Sequence, residues 1–381
     1  MDFIAKNLKN LKENEQFRQI YPSFLKENKW ILKDEKKLLN LSSNDYLGWA
    51  YDKNLRQEFL SEINISEFDF SSASSRLLTG NHKVFEELES YLATFFNKER
   101  CLLFNNGYQA NVGLISSLNQ KDCAIFSDKL NHASTIDGMK LSNGDFYRYN
   151  HLDYSHLSRL LEKYASRYKQ IFIATESVFS MDGDIANFDE LIKLKTKYNA
   201  ILIVDEAHAF GVFGDNGTGI AKNPEIDIIM GTLGKALASY GAFVVANQQI
   251  IEYLINTSRP FIFSTMIPPI NAQWTLWLLQ KKLPKTFKKR QNLLKNAHFL
   301  RKKIEKIGLV TKGSSQIVPI VIGDNAKTVK IAKELENKGF WVLPIRPPTV
   351  KSGESRLRVS LSTEIVQEEL GIFANVIQEV L

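Results

Sequence analysis

Residues 201–235 constrain this chain more than any other stretch. Ile201, Leu202, Ile203 and Val204 form a short apolar run, mostly β-branched. Such a run suits a strand buried on both faces. It ends on Asp205, and His208 follows three residues later. A second apolar run, residues 226–230 with one aspartate inside, ends on Gly231, Thr232, Leu233, Gly234 and Lys235. In parallel α/β sheets, ligands gather at the carboxyl ends of strands. Asp205, His208 and Lys235 are therefore expected at one edge of one sheet.

An acid, an imidazole and a lysine at neighbouring strand ends suit pyridoxal phosphate. That cofactor needs a lysine for its Schiff base and an acid at its pyridinium nitrogen. The acid keeps the nitrogen protonated, so the ring can accept electrons from a substrate carbanion. Each residue also has an ordinary alternative. Asp after a buried strand can be a turn or N-cap residue, and Gly-Lys can be a solvated loop. Val-Asp-Glu-Ala-His also matches the Asp-Glu-Ala-His box of helicases. That reading needs an upstream Gly-x-x-x-x-Gly-Lys-Ser/Thr loop, and the chain has none.

Strand and helix signals alternate around this stretch. Residues 84–96 have apolar side chains three and four apart, which predicts a helix. Residues 101–104 predict a strand; Asn105-Asn106-Gly107-Tyr108-Gln109-Ala110-Asn111 follows, and then a helix is expected to about Leu118. A glycine at such a turn exposes backbone N–H groups, which makes either an anion site or simply a tight turn. Further strands are expected at 124–126, 170–175 and 241–246, with a helix at 189–198. This pattern implies an α/β fold with a mostly parallel, doubly wound sheet. Pro268 and Pro269 interrupt the pattern. Beyond them the chain reads as long basic helices to about Lys306, then short strands at 317–322, 340–343 and 356–360 between helices. Three segments follow: an N-terminal arm and short strand over 1–45, a large domain over 46–275, and a small α+β domain over 276–381. In the arm, Phe3, Ile4, Leu8 and Leu11 recur at helical spacing, so it needs a partner surface. Tyr21 and Pro22 should end it.

At 381 residues, the chain can build a large domain and a smaller one. Its net charge of +7 does not imply nucleic acid. It does favour anionic partners such as phosphate, coenzyme A or an acidic carrier protein. The basic residues of 281–306 could attract such a partner or simply form a solvated helix face. Cys101 and Cys123 lack metal-ligand spacing and suggest reduced thiols, Cys123 buried. No segment is apolar enough to span a bilayer or to form a signal core, so the expectation is a cytosolic protein.

The motifs together resemble one family nearly end to end, from Asn44-Asp45-Tyr46-Leu47-Gly48 to Arg356-Leu357-Arg358. The chain is similar to the α-oxoamine synthases, pyridoxal-phosphate enzymes of the aspartate-aminotransferase fold type (fold type I). Ile345-Arg346-Pro347-Pro348-Thr349-Val350, with residues 321–325 upstream, resembles the branch that condenses L-alanine with a pimeloyl thioester. Sister enzymes that use glycine and a shorter acyl-coenzyme A differ there.

The resemblance implies a role for each matching residue. Lys235 matches the lysine that carries the cofactor, and Asp205 its pyridinium partner. His208 matches the histidine bonded to the phenolic oxygen, Ser180 a further cofactor contact, and His132 the imidazole stacked on the ring. Gly107, Tyr108 and Thr232 match phosphate ligands. Ser264 or Thr265 would reach the phosphate of a neighbouring subunit, because family sites lie at a homodimer interface. Arg358 matches the arginine that grips the amino-acid carboxylate, with Asn44 beside the substrate. Thr349 and Arg18 match acyl contacts. Family members often have glycines where this chain has Ser71-Ser72-Ala73-Ser74-Ser75, which puts that loop's shape in question.

Overall fold

Asp205 ends a strand in the middle of a seven-stranded sheet. In the computed structural model the strands are β1 (Arg100–Phe104), β2 (Cys123–Asp128), β3 (Asp145–Tyr149), β4 (Gln170–Glu176), β5 (Ile201–Asp205), β6 (Ile228–Thr232) and β7 (Ala242–Ala246). Their order is β1-β7-β6-β5-β4-β2-β3. β7 runs antiparallel to both its neighbours, and the other pairs are parallel. The mostly parallel sheet expected from the sequence is therefore present, with one reversed strand. The structure describes all residues except Met1, Gln19, residues 21–24, Asp34 and Phe68. The helix end expected at Tyr21 and Pro22 lies outside the described residues.

The inner strands are near-continuous apolar runs because both faces are covered. All five residues of β7 are buried. Phe104, Leu114, Ile115, Ile125, Met139, Phe172, Met230 and Val244 belong to one core. Fully burying a Leu, Ile, Phe or Met side chain contributes about 1.5–3 kcal/mol before entropy is counted. β3 gave no sequence signal. Its run Asp-Phe-Tyr-Arg-Tyr is an edge strand with only Tyr149 buried, so nothing demanded an apolar pattern.

The chain forms two compact units. One comprises Lys53–Ser180 and Ile185–Arg290 and contains the seven-stranded sheet. The other comprises Met1–Asp52, Met181–Asp184 and Gln291–Leu381. It holds two four-stranded sheets. In one, Ile317–Gly323 and Ser355–Ser360 pair antiparallel, with Pro319 opposite Arg358 and Val321 opposite Arg356. In the other, Phe340–Trp341 pairs parallel with Lys36–Asn40, a strand of the N-terminal segment. The helix Asp2–Glu13 buries none of its residues, and Phe3 and Ile4 are exposed.

Three sequence expectations change. Pro269 starts the helix Pro269–Trp277 rather than only stopping structure, because a proline at the first helical position lacks an N–H that the helix does not need. The basic stretch is not uniformly a solvated face. Arg290 is buried and donates to the carbonyls of Val212, Gly214 and Asp215. Arg301 is buried and donates to the carbonyls of Ser315 and Ile317. Cys101 is a buried free thiol, whereas Cys123 is only half-buried. Among the described residues, no helix is long and apolar enough to cross a membrane.

Candidate active site

The ends of β4, β5 and β6 are aligned by the ladder. Glu176 pairs with Asp205, and Asp205 with Met230. Beyond β6 the chain turns tightly back into β7. The Leu233 N–H donates to the Gly241 carbonyl and the Ser239 N–H to the Leu233 carbonyl, and Lys235 lies in the loop they close. Lys235 Nζ is 2.9 Å from His208 Nε2. An ammonium can only donate, so His208 Nε2 accepts when Lys235 is charged. The expected meeting of Lys235 and His208 at one sheet edge is therefore seen.

Asp205 is nearly buried and both its oxygens are used. Oδ1 accepts the Ala207 N–H at 2.8 Å, and Oδ2 accepts Asn111 Nδ2 at 2.8 Å. Asn111 Nδ2 also reaches Ser134 Oγ at 3.0 Å, and Ser134 Oγ is 2.7 Å from His132 Nδ1. Burial holds the His132 imidazole below its ordinary pKa, against the raising influence of Asp205. Glu176, one strand over, is buried and accepts the His132 backbone N–H. Burial and the neighbouring Asp205 push its carboxyl well above the usual range. The neighbouring Glu206 is raised to about 7 by burial, although the Ala221 and Ile220 N–H groups donate to it.

The N-terminus of the helix Gly107–Leu118 lies beside β6. The Asn106 side chain caps it by accepting the Gln109 N–H. The cap leaves the first N–H groups, those of Gly107 and Tyr108, at the mouth of the helix. A Cβ added at Gly107 would sit 3.7 Å from Thr232 Cβ, so Gly107 and Thr232 face each other. The Tyr108 ring is 6.5 Å from the His132 ring, and its hydroxyl is bonded to Asp137. Thr265 is exposed, and its backbone carbonyl accepts Asn105 Nδ2 at 2.7 Å. Ser264 precedes it, half-buried. Ser180 is half-buried, inside the loop closed by the Val178–Ile185 bridge that follows β4. These residues fit pyridoxal phosphate by their chemistry: a lysine amine, a carboxylate fixed by two donors, and helix N–H groups open to an anion.

The other unit carries the remaining residues. Arg358 donates to Ser360 Oγ at 2.7 Å and to Asn44 Oδ1 at 3.2 Å from both terminal nitrogens. The buried Tyr46 hydroxyl is bonded to Arg358 as well. Arg356 is fully buried and bonded to Asp182, with Glu354 2.9 Å away. Arg18 Nη2 donates to Thr349 Oγ1 at 3.0 Å, which joins the two expected acyl contacts.

The serine-rich loop, 71–75, is held by hydrogen bonds. Ala73 takes the left-handed conformation, φ 50°, which any Cβ makes costly. Ser72 Oγ donates to the Ile267 carbonyl at 2.7 Å, and the Met266 N–H to the Ser74 carbonyl at 3.1 Å, which hold it there. Gly80 is required, because a Cβ would lie 2.2 Å from the Ser74 carbonyl oxygen.

Asn111, Ser134, Tyr46 and Glu176 carry no role in the sequence reading. Their positions did hold a signal. Asn111 stands one helical turn after Gly107, Ser134 two residues after His132, and Glu176 at the end of a buried strand. Polar residues at such points do not announce partners 23 or 94 residues away.

The comparisons agree with this geometry. Residues 36–377 match the aminotransferase class I and II family. A Haemophilus influenzae (strain 86-028NP) protein, provisionally named 8-amino-7-oxononanoate synthase, is 46% identical over 378 residues, 98% of this chain and 99% of its own. A Neisseria meningitidis serogroup A protein with the same provisional name is 45% identical over 379 residues, with the same coverage. Among solved structures, Sphingomonas wittichii serine palmitoyltransferase superposes with a TM-score of 0.90 at 27% identity, covering 100% of this chain and 96% of that one. A Francisella tularensis 8-amino-7-oxononanoate synthase gives 0.76 at 30% identity, covering 90% and 97%. The chain belongs to the class I and II aminotransferase family, in its α-oxoamine synthase branch of pyridoxal-phosphate-dependent C-acyltransferases.

Proposed function

We propose that this enzyme is an 8-amino-7-oxononanoate synthase, joining L-alanine to a pimeloyl thioester with loss of carbon dioxide, a step toward biotin. The observation that carries the reading is identity of 45–46% along 98% of the chain to relatives of that provisional name. Bound pyridoxal phosphate supplies an electron sink for the carbon that bears the amino group.

The chain's own residues supply the rest. The Arg358 guanidinium takes the alanine carboxylate through two parallel N–H groups, which orients the Cα–H bond. The Lys235 amine removes that proton. A C–C bond then forms from Cα to the acyl carbonyl, and the C–S bond breaks with the thiol as leaving group. The bond from Cα to the carboxylate breaks as carbon dioxide, and a proton returns to Cα. When pyridoxal phosphate is bound, Asp205, fixed by Asn111 and Ala207, would hold the pyridine nitrogen protonated. His132 would contact the ring, and Gly107, Tyr108 and Thr232 would hold the phosphate, joined by Thr265 of a second copy in a homodimer. Thr349, Arg18 and Asn44 meet the substrates. An acyl carrier protein or coenzyme A carries the acyl group.

The test is a product assay. Purified enzyme receives L-alanine, glycine or L-serine with pimeloyl-coenzyme A, pimeloyl-carrier protein or acetyl-coenzyme A. Carbon dioxide release and product mass are read. The expected product appears with L-alanine and a pimeloyl donor. Preference for glycine and acetyl-coenzyme A would replace the reading with that of a sister synthase.

A further inference from the structure

We propose that Asn111 is a positioning residue whose amide ties Asp205 to His132 through Ser134 and fixes the His132 proton on Nε2. The inference deepens the proposed function and rests on its placement of Asp205 and His132 beside the cofactor.

The polarity of the chain of bonds runs one way. The Asn111 amide nitrogen has two hydrogens and cannot accept. Asp205 Oδ2, 2.8 Å away, can take one, and Ser134 Oγ, 3.0 Å away, the other. Ser134 Oγ, accepting from Asn111, still has its own hydrogen to give, and His132 Nδ1 lies 2.7 Å away. The Ser134 backbone N–H donates to the same Nδ1 at 3.2 Å. His132 is thereby the N-cap of the helix Ala133–Leu141, and an N-cap side chain serves as an acceptor. The backbone contact requires a bare lone pair on Nδ1, so the imidazole is neutral with hydrogen on Nε2, and the Ser134 hydroxyl is left to donate to it. A proton on Nδ1 would face the Ser134 N–H.

The two inner links of the relay are closed to water, and its outer end, His132, is exposed. Asn111 is 3% exposed and Ser134 fully buried. Two elements place it: Asn111 sits one turn into the helix whose N-terminus meets Gly107, and Ser134 in the first turn of the next helix. The charged groups around the imidazole are Asp205, Lys235 and Asp137, and the Glu176 carboxyl takes the His132 backbone N–H. Asp205 and Asp137 favour a protonated ring, whereas burial and Lys235 oppose it. The hydrogen bonds from Ser134 decide which nitrogen carries the single proton.

The tautomer is read by long-range 15N–1H NMR on the full-length protein labelled at histidine, with and without pyridoxal phosphate. His132→Gln identifies its signals among the six histidines. The wild type should show Nδ1 unprotonated. Asn111→Leu removes both donors, and Ser134→Ala cuts the hydroxyl link while leaving Asn111 on Asp205. In each, the tautomers should mix and the imidazole pKa should rise by about half a unit to one unit, as for one lost hydrogen bond to the neutral form. Melting curves confirm that each variant is folded. A protonated Nδ1 in the wild type overturns the inference without any variant, and so does an unmoved tautomer in a folded Ser134→Ala. The cofactor reading fails separately, if borohydride does not attach the cofactor to Lys235, because the tautomer is also read in cofactor-free protein.

Discussion

Arg356 and Arg358 stand two residues apart on one strand, yet their partners differ in charge. Arg356 is bonded to the carboxylates of Asp182 and Glu354. Arg358 is bonded to Asn44, Ser360 and Tyr46, which are neutral. A guanidinium bonded to two carboxylates is committed to structure. The oxygens of Asn44, Ser360 and Tyr46 carry no charge that would neutralise the Arg358 guanidinium.

That difference predicts how the two arginines respond to substitution. Lysine cannot reproduce the parallel N–H donors that match a carboxylate. Losing a charge-assisted contact costs roughly 1.5–3 kcal/mol, about ten- to a hundredfold in affinity. Arg358→Lys should weaken L-alanine binding by about that factor and leave cofactor content unchanged. Arg356→Lys should bind L-alanine normally but melt at lower temperature, because it disturbs a buried ion pair. Titrating L-alanine while following cofactor absorbance decides between them. Weakened binding confined to Arg356→Lys would reverse the assignment.

Lys235 should hold the cofactor covalently. Purified protein should be yellow, and borohydride followed by peptide mapping should label Lys235. Lys235→Ala should lose turnover by orders of magnitude and still bind pyridoxal phosphate non-covalently. Labelling of another lysine would move the site.

Asp205→Asn keeps an oxygen for Ala207 or Asn111 but loses the charge. Without that charge the pyridine nitrogen is less readily protonated and the ring a poorer sink. Exchange of the L-alanine α-proton with solvent should slow more than L-alanine binding weakens. Wild-type exchange in the variant would remove Asp205 from its role.

Asp45 predicts a pH dependence of stability rather than of activity. Its carboxylate accepts the Trp49 and Ala50 N–H groups, both at 2.9 Å. Burial nevertheless pushes its pKa up from 3.8 to about 6, with Glu364 adding to the rise. A raised acid holds its proton longer in the folded state than in the unfolded one. Its contribution to stability therefore falls as pH rises from about 4 to about 6 and is flat outside that window. Asp45→Asn should flatten this fall. Urea midpoints at pH 4.5 and 6.5 in both proteins test it, and equal slopes would sink it.

Much of the large sheet is legible in the chain because burial on both faces forces apolar runs. β1, β4, β5 and β7 lie within a residue or so of their expected places. The edge strand β3 is not, because half-exposed residues escape that demand. The cofactor residues at strand ends are legible for the same reason. Asp205 ends one apolar run, and Lys235 lies in the short loop after the next, so these runs fix where the sheet edge falls.

Sequence by itself determined the alternation of strand and helix, and with it which polar residues stand at the sheet's carboxyl edge. It also held the motifs that mark the family. Only the tertiary structure decided which of those residues share hydrogen bonds. Asn111 meets Asp205 across 94 positions, and Arg356 meets Asp182 across 174. Local periodicity carries no record of such pairs. A hydrogen bond depends on distances of a few tenths of an ångström, which only the packed sheet and its helices set. The difference between Arg356 and Arg358 has the same origin. Strand period places both on one face, and the buried carboxylate of Asp182 commits one of them.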